Sequence, residues 1–266
     1  MYDKIILNHY ANVASKEGHL DSCTMADDRI REIETQFIFE SLEKIIKELH
    51  KKSASDRPVL LDAGCGNGFT LQQLSKKFIN IDFKGIEFTP ELREIANQKG
   101  LPCKVMPGDI RSKDTLPTGV DILILQRVLI NLLDPRDQIE AVRNLIGSIN
   151  KGGYLIAIEA FTSGLSHLNQ CRKELGLSNI PPAHHNLYLE DNFFELFPEL
   201  SVVQTNYGPD ILSSHYFITR VLHDVALAAT GSNFVRNSMF VKFFDEALPL
   251  GIGQFSPLKC LLFKKS

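Results

Sequence analysis

The sequence has few cysteines, and it pairs none of them. Cys23, Cys65, Cys103, Cys171 and Cys260 are scattered over 266 residues, odd in number and without a C-x-x-C spacing. That pattern argues against a disulfide framework and against a structural zinc site, so no metal ligand set is expected. It fits a reduced, cytoplasmic compartment. A basic excess is missing as well. The 29 Lys and Arg against 32 Asp and Glu leave a net charge of -3, which removes the electrostatic footprint of a nucleic-acid binder. The longest apolar run, 120–133, is broken by Asp121, Gln126, Arg127 and Asn131, so it is too short and too polar to span a bilayer. Met1-Tyr2-Asp3-Lys4-Ile5-Ile6 has neither the apolar core nor the small-residue cleavage site of a secretory signal. There is no G-x-S-x-G elbow, which sets aside a serine hydrolase, and no internal repeat.

What is present is the composition of an ordinary soluble protein. A hydrophobic share of 44% and a charged share of 23% supply core enough for one large domain, or for a domain with a cap.

Periodicity organises the chain. Ile30, Ile33, Phe37, Leu42, Ile45, Ile46 and Leu49 recur at helical spacing over 28–50. A polar break at 51–58 then leads into the short apolar run Val59-Leu60-Leu61-Asp62, which reads as a buried strand. Strands and helices alternate from there: helix 69–78, strand 83–87, helix 90–99 with Thr89 and Pro90 at its cap and first turn, strand 103–106, strand 121–125, a helix through 149, a turn at 150–153 and strand 154–160. Repeated strand–helix units imply a parallel sheet covered by helices on both faces. After Phe161 the rhythm changes. Residues 162–200 are polar and broken by Pro181-Pro182 and Pro198. The stretches 202–207 and 258–264 read as two more strands, with helical periodicity at 213–230 and 233–247 between them, joined at Gly231.

The strongest local signal is Asp62-Ala63-Gly64-Cys65-Gly66-Asn67-Gly68, a glycine-rich turn between the first strand and a helix. Such glycines permit positive φ and let a ligand approach the backbone. A dinucleotide loop needs G-x-G-x-x-G, but the position of its third glycine is Phe69, and the turn carries no basic residue. The loop therefore suits a nucleoside-like ligand without phosphates. Glu87 ends the second strand about twenty residues on, where a carboxylate accepts both ribose hydroxyls. Asp109, in Gly108-Asp109-Ile110 after the third strand, is placed either as a turn residue or as an acceptor for an adenine amine, with Ile110 against the ring.

Together the glycine turn, Glu87, Gly108-Asp109-Ile110 and Lys151-Gly152-Gly153 resemble the class I S-adenosylmethionine-dependent methyltransferases over residues 58–160. The resemblance implies a doubly wound α/β fold: a seven-stranded, mostly parallel sheet with an antiparallel last strand, plus a helical cap from the N-terminus and an insertion before that strand. It implies S-adenosylmethionine as cofactor. Asp62, Gly64, Gly66 and Gly68 would lie near its methionine part, Glu87 on the ribose, Asp109 and Ile110 on the adenine, and Gln126 near the methionine moiety. The expected organisation is an N-terminal cap at 1–57, a cofactor core at 58–161, an acceptor-site region at 162–200 and terminal strands at 201–266 with a helical insertion at about 209–257.

The acceptor belongs beyond the carboxyl ends of the strands. Polar groups expected there are Tyr10, His184-His185-Asn186-Leu187-Tyr188 after the proline pair, and Ser213-Ser214-His215-Tyr216 with Arg220 one turn on. His185 is the first candidate for a general base and His215 the second, with Tyr10, Asn186, Tyr188, Tyr216 and Arg220 as acceptor ligands. His184 and His185 are adjacent, and on an extended chain adjacent side chains point opposite ways, which disfavours a shared metal ion. The expectation is O-methylation of a hydroxyl on a polar small molecule by a monomer or homodimer. The alternatives are an N- or carboxyl-methyltransferase, a nicotinamide-dependent reductase, and a non-catalytic protein that retains the cofactor fold.

Overall fold

The computed structural model describes residues 3–20, 23, 25–50 and 57–266. Most of the polar break at 51–58 lies outside the described residues. Seven strands form one sheet: β1 (Val59–Ala63), β2 (Asp82–Glu87), β3 (Val105–Pro107), β4 (Val120–Gln126), β5 (Ile149–Ala160), β6 (Leu200–Val202) and β7 (Leu258–Lys265). Their order is β3-β2-β1-β4-β5-β7-β6. β1 to β5 are parallel, and β7 runs antiparallel to both β5 and β6. This is the doubly wound, seven-stranded sheet with an antiparallel last strand that the resemblance implies.

Strand residues alternate between two cores. In β4, Ile122 and Ile124 face one cluster while Leu123 and Leu125 face the other, and all four are fully buried. Apolar side chains on both faces are what a parallel sheet between helical layers demands. On the first face lie α2 (Asp28–His50) and α3 (Phe69–Lys77), through residues such as Phe37, Leu42, Ile45 and Leu71. The second face carries α5 (Pro135–Ser148) through Ala141, Val142 and Leu145, and the aromatic group Phe193, Phe194 and Phe197. Burying a single Leu or Ile of this kind contributes roughly 1.5–3 kcal/mol.

The remaining helices are α1 (Asp3–Glu17), α4 (Pro90–Gln98), α6 (Thr162–Glu174), α7 (Ser213–Phe217), α8 (His223–Thr230) and α9 (Met239–Ala247). A π-helical segment, Ile218–Leu222, joins α7 to α8. α8 ends at Gly231, the joint the sequence indicates, whose φ of 64° makes it a left-handed cap.

Four sequence expectations are corrected. The turn expected at 150–153 belongs to β5, because Gly152 takes φ 77° and Gly153 lies so close to Asp121 O that only a glycine fits; the chain bulges and keeps its pairing with β4. The irregular stretch expected at 162–200 begins with α6, whose Gly164 packs directly on the Ser256 backbone, a contact with no local signature. The strand expected at 202–207 forms instead at Leu200–Val202, with Val202 69% exposed, and its pairing with β7 ends as the Val203 N–H donates to Leu262 O at 2.8 Å and Val203 turns toward the first core. The second inserted helix starts only at Met239, capped by Ser238, rather than at 233.

Candidate functional site

The strand order reverses between β1, whose neighbours are β2 and β4, and in open α/β sheets a ligand crevice forms beyond the carboxyl ends of strands at such a point. A cleft of about 1120 Å³, open solvent at its mouth included, lies there. Its wall holds Asp62, Gly64, Gly66, Glu87, Asp109, Ile110 and Gln126 of the predicted cofactor residues, and α1 covers it with Asp3, Ile6 and Tyr10. Gly68 is not in the wall. It caps α3 at φ 77°, where a Cβ would press against Leu101 and Ala96. Gly64 and Gly66 also take positive φ, at 75° and 55°.

Glu87 is anchored before any ligand arrives. Oε2 accepts the Gly66 N–H at 2.8 Å and Oε1 the Thr89 N–H at 2.8 Å. A carboxylate has about four acceptor positions, and with the Thr89 hydroxyl also bonding it, acceptor capacity for a further donor remains. Burial pushes its pKa up, partly offset by those two N–H bonds. Asp62 differs: it is 2% exposed, and its Oδ2 finds no hydrogen-bond partner. Burial, reinforced by Glu87, raises its pKa to about 7. A buried carboxylate oxygen of this kind is suited to pair with a positively charged group of a bound ligand.

Asp109 lines the cleft with both oxygens on the Arg111 guanidinium, Oδ1 at 3.0 Å from Nε and Oδ2 at 2.6 Å from NH2. Arg111 reaches on to Asp3 of α1 at 2.8 Å, which ties the covering helix to the Asp109 end of the cleft. Gln126 is oriented from two sides: the Thr70 hydroxyl donates to its Oε1 at 2.9 Å, and its Nε2 donates to Glu34 Oε2 at 2.8 Å.

Three residues of this neighbourhood escape sequence reasoning. Glu34 of α2 is fully buried and pairs with Arg127 at 3.1 Å. Arg127 holds φ 58°, a left-handed conformation that non-glycine residues rarely adopt. Glu159 at the end of β5 is fully buried and accepts the N–H groups of Val128, Leu129 and Ile130, capping the short 3₁₀ turn Leu129–Asn131. Burial raises its pKa to about 8 against the pull of those bonds. The only sequence signal is a lone acid on an apolar helix or strand face, which by itself names no partner.

Tyr10 alone among the predicted acceptor residues lines the cleft. Its hydroxyl donates to Asn131 Oδ1 at 3.2 Å. Tyr188 and Tyr216 pack against the first core, and Arg220 lies over the Tyr216 ring while bonding Asp27. Asn186 Oδ1 is buried without a partner. His215 is 1% exposed, with Nδ1 facing Asp245 at 2.9 Å and Nε2 facing Asp27 at 3.0 Å, so neither nitrogen is free. Burial lowers its pKa, and the two carboxylates outweigh this and raise it overall. His185 is outside the cleft wall, with its ring centre 6.2 Å from that of Tyr10. Burial, then His9 and His184, drive its pKa down to about 4.

A crevice at the switch point, glycines of positive φ after β1 and an anchored acid ending β2 define a nucleoside-binding Rossmann-like fold. The sequence agrees, because residues 60–153 match the family described as "Methyltransferase domain". That stretch carries a methyltransferase-type domain match, and the fold around it is the one found in class I S-adenosylmethionine-dependent methyltransferases. The fold is shared along the whole chain with the plantazolicin methyltransferase BamL, at 16% identity over 100% of this chain and 99% of that one, with a TM-score of 0.55. The magnesium protoporphyrin IX methyltransferase (ChlM) from Synechocystis PCC 6803 aligns at 14% identity over 91% and 88%, TM-score 0.53. The [4+2]-cyclase SpnF aligns at 15% over 84% and 80%, TM-score 0.50, so the same architecture also serves a different reaction. No curated protein sequence matches the chain.

Proposed function

We propose that the protein transfers a methyl group from S-adenosylmethionine to a polar small molecule that enters beneath α1. The observation that carries this is the unpartnered Asp62 Oδ2 beside the anchored Glu87 at the switch-point cleft. S-adenosylmethionine, when bound, supplies an electrophilic methyl group on a sulfonium. Glu87 would hold the ribose hydroxyls, Asp62 the cationic methionine end, Asp109 and Ile110 the adenine, and Gln126 the methionine moiety. In this reading 58–161 would hold the cofactor, with α1 over the cleft, 162–200 toward the acceptor side and 201–266 completing the sheet. The protein's own work is alignment and exclusion of water, for which well-oriented reactants gain most.

The acceptor atom is decided by proton chemistry. A hydroxyl needs a positioned base with a pKa near working pH. His185 at about 4 is a weak one, and both nitrogens of His215 are held by carboxylates. This favours an acceptor that arrives without the proton, a carboxylate or a neutral amine, over the hydroxyl acceptor with a histidine base. The size of the covered cleft and the acidic net charge support a small-molecule partner.

The test is a transfer assay with methyl-labelled cofactor against small carboxylates, amines and polyols, run on wild type and His185→Ala. Labelled product from carboxylates or amines, with kcat in the variant within about tenfold of wild type, is expected. A loss of roughly 10²–10⁴-fold in the variant would restore the histidine base and the hydroxyl acceptor. Binding of NAD in place of S-adenosylmethionine would overturn the cofactor assignment. Cofactor binding with no transfer to any acceptor would favour a retained fold without this activity.

A further inference from the structure

His9, His184 and His185 come together from two distant segments. His184 and His185 occupy a turn, closed by the Asn186 N–H donating to Ala183 O at 2.9 Å, so they are not on the extended chain that would send them apart. His9 stacks on His185 with ring centres 3.7 Å apart, and His184 lies edge-on to both, at 5.0 Å from His185 and 5.9 Å from His9. One ring nitrogen from each lies within 4.8 Å of the others. His185 Nδ1 is buried and has no hydrogen-bond partner.

The arrangement is held in place by the fold rather than by the histidines themselves. Tyr10, next to His9, bonds Asn131 of the 3₁₀ turn. Leu187, two residues after His185, donates its N–H to Ile130 O of the same turn at 2.7 Å, and its carbonyl accepts from Gln138 at 2.9 Å. Buried Glu159 caps that turn. Two segments more than 170 positions apart in sequence are thus pinned to one rigid support, with three imidazoles facing each other and, among the described residues, no acid within the cluster to pair with.

We infer that His9, His184 and His185 bind one divalent transition-metal ion of the zinc class, which fastens α1 to the 183–187 turn at the rim of the cofactor cleft. Three neutral nitrogen donors suit Zn²⁺, Co²⁺, Ni²⁺ or Cu²⁺ and discriminate against Mg²⁺ and Ca²⁺, which take oxygen. Tetrahedral zinc with nitrogens at about 2.0–2.1 Å sets them about 3.4 Å apart. Side-chain rotation of the exposed His184 and the half-buried His9 closes the remaining gap. Three protein ligands leave the fourth position to water or a bound small molecule.

The experiment uses the full chain without an affinity tag, stripped with chelator and titrated with Zn²⁺ by calorimetry and with Co²⁺ by absorption. Neither measurement contains cofactor or acceptor, so the outcome is independent of methyl transfer. The expected result is one ion per chain, a Co²⁺ spectrum of low coordination number without thiolate bands, and slower amide exchange in α1 when zinc is added. His9→Gln and His184→Gln should each weaken binding by at least about tenfold, with circular dichroism and metal-free melting unchanged. Cys103→Ser should bind as wild type does. His184 is exposed, so its variant carries the test should His9→Gln fail to fold. Absence of stoichiometric binding, thiolate bands in the Co²⁺ spectrum, or undiminished affinity in the His184 variant would overturn the site.

Discussion

Asp62 offers a test in which stability and ligand binding must move in opposite directions. Its ordinary pKa of 3.8 rises to about 7 in the folded protein, first through burial and then through Glu87. Below 3.8 the carboxyl is protonated whether the chain is folded or not, and its burial costs little extra. As pH climbs, the unfolded chain ionises first and the native state is left holding a proton, so stability falls until pH passes about 7. The gap between 3.8 and about 7, at 1.36 kcal/mol per pH unit, is on the order of 4 kcal/mol, of which about 3 kcal/mol is lost between pH 5 and pH 8. Asp62→Asn cannot ionise. Its amide leaves a buried donor unsatisfied, a pH-independent cost of about 1–3 kcal/mol. Urea denaturation of cofactor-free protein at pH 5 and pH 8 should therefore show the variant gaining about 3 kcal/mol on wild type between the two. At pH 8 the same variant should bind S-adenosylmethionine more weakly, because the cationic methionine end loses its counter-charge. Parallel stability curves for variant and wild type across this range would refute the buried carboxylate with its unpartnered Oδ2.

Other perturbations follow from the same geometry. Glu87→Gln should reduce affinity for the demethylated cofactor roughly 10–100-fold by calorimetry, since charge-assisted bonds to ribose are worth about 1.5–3 kcal/mol. Glu34→Gln leaves the Arg127 guanidinium at the cleft wall without its buried countercharge and should lower stability by about 1–3 kcal/mol in chemical denaturation, and because it also releases Gln126 it should weaken cofactor binding. His215 contributes stability fully below the ordinary imidazole pKa and loses it as pH rises through its raised value, so His215→Gln should cost about 3–5 kcal/mol at pH 6 and less at pH 9. Equal costs at the two pH values would show that the imidazole is not charged in the folded state.

Much of the frame is legible in the residues themselves. Period-2 and period-3.6 patterns separate strand from helix because each face of an element must meet either a core or water. The glycine turn after β1 and the acid ending β2 can be read because both positions answer to the backbone next to them: glycine for positive φ, and a strand end for direction. Gly231 and Pro90 are found for the same reason. Local chemistry is therefore what the sequence by itself determined, together with the fold class and the cofactor it implies.

Tertiary structure decided everything that depends on distant segments meeting. α6 exists where Gly164 can press onto Ser256. Glu34, Arg127 and Glu159 become site residues only once α2 and β5 are packed against the end of β4, because a buried acid acquires its role from a partner some 30 to 90 positions away. His215 reads as a candidate base in the sequence and is clamped in the fold by Asp27 and Asp245. His184 and His185 read as divergent neighbours, yet a turn and a helix from the N-terminus bring three imidazoles together. Burial and pairing set the charge and reach of each of these groups, and neither is written in the order of residues along the chain.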